Sequence, residues 1–239
     1  MNKINKIIKN NIYKKFNNYI ISDINSLNVN YIDLNIIKDS FKMLQIDKYH
    51  NNNKGPPTRL RKFFNIDIDM ENKKKYNIKY NHHINIFKQQ VEDNRSDPRK
   101  FSLIDDKILY SHFMVSLIYK ISSLIQSIED IKKLNISIHQ VRQICYPNIV
   151  SENSPEGIHQ DGADYIISAL VINHINLKGG ISKIYDLDKN IIDEHILKEK
   201  EFIFQNDKKL YHHITPVECN NDNYLGFRDI IGLDINIIN

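Results

Sequence analysis

Near residue 135 the spacing of apolar residues changes from helical to alternating, and the glycines change with it. Of seven glycines only Gly55 precedes residue 150. Gly157, Gly162, Gly179, Gly180, Gly226 and Gly232 all fall in the last third. Glycine marks turns, bulges and close approaches of backbone. A chain that is helix-patterned first, then strand-patterned with frequent turns, is expected to form a mainly β fold with flanking helices (α+β). The expected layout is one domain over 1–239. Residues 135–239 would form a jelly-roll, or double-stranded β-helix, core. Residues 1–134 would supply helical support and substrate-side segments.

Three helices are expected in the first part. Residues 3–20 carry Ile4, Ile7, Ile8 and Ile12 at helical spacing, 33–46 make a second, and 108–132 is apolar enough to require burial against something large. Between them the chain turns at Gly55-Pro56-Pro57 into a basic, strand-like piece, and 81–100 reads as polar loop. Beyond 135, ISIHQVRQI (136–144) alternates, so Gln140 and Arg142 share a face with Ile136, Ile138 and Ile144. An inward Arg142 needs a partner or a polar cavity. The alternative is a register break or an edge arginine at the surface. DYIISALVIN (164–173) reads as a strand buried on both faces. INLKGGISKIYDLD, EFIFQND, KKLYHHITPVE and GFRDIIGLDINI read as further strands, and DEHILKEKE as a charged helical stretch.

The segment PEGIHQDGADY (155–165) places His159 and Asp161 two residues apart, which on a strand aims both at one point. A third ligand would complete a metal site. His174 and His195 have no supporting pattern. In KLYHHITP, alternation puts Leu210, His212 and Ile214 inward and His213 outward, which favours His212, although spacing alone leaves His213 open. Two histidines and one carboxylate on one face of an octahedron suit non-haem Fe(II). Arg228, in GFRDII, would lie on the next strand, where a guanidinium can hold the far carboxylate of a metal-chelating dicarboxylate.

The order His-x-Asp, His, Arg resembles the 2-oxoglutarate and Fe(II)-dependent dioxygenases. PEGIHQDGADY, GGISKIYDL, YHHITP and GFRDII are similar to the bacterial family that hydroxylates free L-amino acids, such as isoleucine 4-hydroxylase. The match is close over 135–235 and looser over 55–104. The resemblance implies Fe(II) ligands at His159, Asp161 and His212, the last being the histidine four residues before Pro216. It implies that Arg228 holds the distal carboxylate of 2-oxoglutarate, with Arg142 near the co-substrate or amino acid. Arg59, Arg61 and Arg99 are candidates for the substrate carboxylate, and Asp164 for its ammonium. Fe(II), 2-oxoglutarate and O2 would be required, and succinate and CO2 released. The chain departs from wider relatives in having Ile230, not Ser or Thr, two residues after Arg228. Its polar stretch 81–98, where lid residues are expected, matches poorly. A peptide or carrier-bound substrate is the alternative within this chemistry; Asp161 argues against a halogenase, which needs that position open.

A non-catalytic β-barrel binding module, with nucleic acid as one partner, is the rival from another class. A formal charge of +4 over 239 residues gives it little support. The expected partner is a small amino acid rather than nucleic acid. No stretch reaches the roughly 18 apolar residues of a membrane span. No C-x-x-C pair occurs, and Cys145 and Cys219 are expected to be reduced thiols of a soluble, cytoplasmic protein.

Overall fold

The computed structural model describes residues 18–50, 55–70 and 76–238. In chain order the strands are β1 (Tyr19–Asp23), β2 (Gln45–Ile46), β3 (Arg59–Asp69), β4 (Asn77–Tyr80), β5 (Ile86–Phe87), β6 (Arg99–Lys100), β7 (Lys133–Cys145), β8 (Tyr165–Ile175), β9 (Leu177–Gly179), β10 (Ser182–Tyr185), β11 (Ile191–His195), β12 (Glu201–Asn206), β13 (Tyr211–Ile214), β14 (Val217–Cys219) and β15 (Gly226–Ile238). The helices are α1 (Leu34–Ser40), α2 (Asp106–Leu109) and α3 (His112–Ile128).

An eight-stranded antiparallel sheet runs β1-β12-β8-β15-β7-β3-β2, with β4 also on β3. Smaller sheets, β11-β10-β13 and β14-β9, complete a double-stranded β-helix, and β5 pairs with β6. The longest strands, β7 and β15, stay in register over their full lengths, from Gly226 opposite Cys145 to Ile238 opposite Lys133.

Both faces of this sheet are covered, and alternation decides which residue meets which layer. One face turns Ile136, Ile138, Ile231, Leu233, Ile235, Phe64 and Ile66 into a core shared with α3. That helix contributes Phe113, Met114, Leu117, Ile118, Ile121, Leu124 and Ile125, all buried. Burying each large side chain stabilises by about 1.5–3 kcal/mol. Ser111 caps α3 by accepting from the Met114 N–H at 3.1 Å, and Asp33 accepts from the N–H groups of His112 (2.7 Å) and Phe113 (2.9 Å). The other face turns His139, Val141, Gln143, Arg228, Ile230, Gly232 and Asp234 toward β10 and β13, and encloses a cavity.

Several expectations change. The first part of the chain is not only helical support, because β3 lies inside the main sheet, hydrogen-bonded to β7 from Arg59–Gln143 to Asp69–Lys133. Of the helix expected at 3–20, residues 3–17 lie outside the described residues, and β1 begins at Tyr19. The helix expected at 33–46 ends at Ser40, and Gln45–Ile46 is a strand. The DEHILKEKE stretch is not helical: His195 ends β11, where Asp193 and Glu194 face solvent or partners across the pair. The INLKGGISKIYDLD segment forms two strands parted at Gly179-Gly180, as expected, and each pairs elsewhere: β9 with β14, β10 with β11 and β13.

Candidate active site

His159 and Asp161 do not lie on a regular strand. His159 forms an isolated bridge with His212, its N–H donating to the His212 carbonyl at 3.0 Å and its carbonyl accepting at 2.9 Å. Asp161 follows in a loop that turns at Gly162, where φ is +83° and an added Cβ would lie 2.5 Å from the Gln90 carbonyl oxygen. Glycine is required there by both conformation and space. The Asp207 carboxylate fastens the loop by accepting from the N–H groups of Gly162 (2.7 Å) and Ala163 (3.1 Å).

The bridge and the loop bring one atom from each of His159, Asp161 and His212 within 4.8 Å of one another. His159 Nε2 is 3.7 Å from Asp161 Oδ1, and His212 Nε2 is 3.5 Å from Asp161 Oδ2. Both histidines are buried. His159 Nδ1 stands 2.8 Å from the Gly157 carbonyl, which can only accept, so Nδ1 carries a proton, while Nε2 faces Asp161 and lies 3.2 Å from Glu156 Oε1. The Gln205 amide lies 3.4 Å from His212 Nδ1, and Gln205 Oε1 has no other partner. With that oxygen turned to the ring it accepts the Nδ1 proton, leaving His212 Nε2 as a metal donor. Burial, with His159 close by, lowers the His212 pKa to about 3, so the ring is neutral. Burial raises the Asp161 carboxyl, but positive charge at the surrounding His212, His159 and Arg95 positions, permanent at Arg95, outweighs it and holds the group below its ordinary value. Two imidazoles and one carboxylate fit Fe(II).

Gln89 fixes the carboxylate. Arg99 donates to Gln89 Oε1, so the Gln89 Nε2 end donates to Asp161 Oδ1 at 2.8 Å. The stretch 81–98 therefore forms one wall of the metal site. Arg95, from the same stretch, donates to the Gln160 carbonyl at 3.0 Å and pairs with Asp93 at 2.7 Å.

Of the expected arginines, Arg228, Arg59, Arg61 and Arg99 line the cavity. Arg228 is buried, one terminal nitrogen has no partner, and burial lowers its pKa to about 10. An unpaired buried guanidinium opposite a metal triad is an anion site, and it fits one carboxylate of 2-oxoglutarate. Arg59 is neutralised by Asp47 at 2.8 Å. Arg61 and Arg99 have no carboxylate bonded to them among the described residues, and the Nε of each is buried without a partner. Arg142 and Asp164 lie elsewhere. Arg142 projects from the helix-covered face and makes a bidentate pair with Asp229 (2.6 and 2.7 Å) over the Phe227 ring. The apolar face of 136–144 is the core face, as expected, but the cavity lies on the opposite one. Asp164 accepts from the Ile237 N–H at 2.7 Å and pairs with Lys208 at the surface. His213 is only partly buried and lies outside the triad. Gln89, Arg95, His139 and Asp234 were not indicated by the sequence pattern; the proximity of each depends on pairing between distant segments.

No curated protein sequence matches the chain. Among solved structures, IDO from Bacillus thuringiensis is similar over 99% of this chain and 98% of its own, with a TM-score of 0.75 at 18% identity. A bsmA homologue from Methylobium petroleophilum PM1 is similar over 98% and 92%, with a TM-score of 0.81 at 13% identity. The Fe(II)/α-ketoglutarate-dependent dioxygenase TqaL follows over 98% and 88%, with a TM-score of 0.72 at 12% identity. At these identities the likeness is one of fold. In sequence, residues 38–234 match the 2OG-Fe dioxygenase family, from within α1 through the triad and Arg228 to Asp234. The chain belongs to the 2OG-Fe dioxygenase family, with His159, Asp161 and His212 as its iron-binding triad.

Proposed function

We propose that the protein hydroxylates a free L-amino acid and releases succinate and CO2. When bound, Fe(II) and 2-oxoglutarate supply the oxidising chemistry, with O2, that attacks an unactivated C–H bond. The chain binds and orients. His159, Asp161 and His212 hold the metal on one side and leave the cavity side free. Arg228 receives the distal carboxylate of 2-oxoglutarate. Arg61 and Arg99 receive the carboxylate of the amino acid. Val141, Ile167, Ile214 and Ile230 offer apolar wall for its side chain and keep water from the reacting carbon.

One observation carries this reading: the cavity beside the triad holds three guanidinium groups with unpaired buried nitrogens, and none has a bonded carboxylate among the described residues. The co-substrate uses one. The other two call for a small molecule bearing its own acid group. The full-length fold likeness to IDO supports the same class. The test is succinate release with Fe(II) and 2-oxoglutarate across the twenty L-amino acids and the cyclic imino acids. At least one is expected to raise turnover well above the unstimulated rate. If none does, the free-amino-acid reading fails.

A further inference from the structure

The row that β7 and β15 turn into the cavity includes His139 and Asp234, which have no role in holding metal or co-substrate. Arg61 NH2 is 2.8 Å from His139 Nδ1, and His139 Nε2 is 3.2 Å from Asp234 Oδ2. A guanidinium can only donate, so Nδ1 accepts and Nε2 carries the proton that faces Asp234. The result is a short polar relay with a cation at one end, a neutral ring in the middle and a carboxyl group at the other end. Burial, first of all, holds His139 neutral. Arg99 stands beside Arg61, both guanidinium groups lying over the Phe87 ring, at 5.0 and 5.2 Å. Asp234 has no Lys or Arg paired with it among the described residues; its side-chain partner is the His139 ring. A carboxylate in such a place is costly unless a cation joins it.

The ends of the relay are no more than about 8 Å apart, which is two hydrogen bonds and the width of an imidazole. An α-amino acid lying along it, carboxylate toward Arg61 and Arg99 and ammonium toward Asp234, spans about the same distance with ordinary hydrogen bonds at each end. We propose that Asp234 is the ammonium receptor of the substrate site, so that the enzyme selects α-amino acids over their 2-hydroxy and N-acyl counterparts. The proposal rests on the amino-acid reading above and narrows it. It replaces the role expected of Asp164, which lies outside the cavity.

The test uses the full chain with Mn(II) and 2-oxoglutarate, without oxygen. Calorimetry compares the L-amino acid that best stimulates succinate release with its 2-hydroxy acid and its N-acetyl derivative. Wild type should bind the amino acid about tenfold or more tightly than either analogue. Asp234→Asn keeps the shape and can still accept from His139. It should erase that preference while 2-oxoglutarate affinity stays within about twofold. Equal wild-type affinity for amino and hydroxy acid overturns the proposal without any variant. So does a D234N variant that keeps the preference, or one that weakens both ligands by one factor, which would mark a structural role through His139. A blank amino-acid screen removes the broader reading and this proposal together; a positive screen without amine preference removes only this one.

Discussion

Two arginines of similar appearance in the sequence have opposite surroundings. Arg228 is buried with a nitrogen unpaired and faces the cavity, whereas Arg142 is closed off by Asp229, itself fully buried. Substitution should separate them. Arg228→Ala is expected to raise the KM for 2-oxoglutarate about a hundredfold, by loss of a charge-assisted pair, with little loss of fold. Arg142→Ala is expected to cost about 3–5 kcal/mol of stability by stranding Asp229, with the KM for 2-oxoglutarate unchanged in whatever protein remains folded. Urea unfolding and steady-state kinetics on both variants measure this. The reverse pattern would mean that the cavity face has been assigned to the wrong set of alternating residues.

At the scale of elements, the metal loop and the 81–98 wall are held to each other. Gly162 lets Asp161 turn beneath the Gln90 carbonyl, and Gln89 then donates to that same Asp161. Gly162→Ala should therefore weaken metal binding about tenfold or more, since an added methyl in a left-handed conformation strains the loop by roughly 1–3 kcal/mol. The measurement is Mn(II) affinity by titration; unchanged affinity would show that the loop tolerates the displacement. The sequence made β7, β8, β12, β15 and α3 legible because each carries a local signal: a strand or helix period, or, in β8, an unbroken apolar run. It also made the triad legible, since His-x-Asp between glycines and an inward His before Thr-Pro are local patterns. It did not reveal Gln89 or Asp234 as site residues. Gln89 sits in a stretch with no period and acts through one long-range hydrogen bond. Asp234 shares a face with Arg228 by alternation, but its link through His139 to Arg61 comes only from pairing between distant strands. The charged run ending β11 misled for the same reason: local composition resembled a helix, and cross-strand pairing with β10 overrode it.

At the scale of the whole molecule, the buried titratable groups set how stability responds to pH. Burial holds His50 at about 4, His212 at about 3, and His139 well below its ordinary value. These rings gain protons on unfolding below about pH 6.5, so their stabilisation is lost as pH falls from there toward 4. Asp207 and Asp234 are pushed up to about 8, by burial and then by the charge of Asp161. They release protons on unfolding above about pH 4, so they withdraw stability as pH rises toward 8. Three histidines outweigh two carboxyls below about pH 6.5, and only the carboxyls act above it. Metal-free protein should be most stable near pH 6.5, read as the urea midpoint across pH 5–8.5. Added Mn(II) should flatten the alkaline limb by offsetting the Asp161 charge. A midpoint that rises steadily to pH 8.5 without metal would contradict this balance. Triad, cavity and arginines work together only around one ferrous ion, and anaerobic Fe(II) titration followed by calorimetry measures directly where it is held. Wild type and His213→Ala should each bind one ion per chain, and His212→Ala should lose that binding. Binding that survives in His212→Ala, or disappears in His213→Ala, would contradict it.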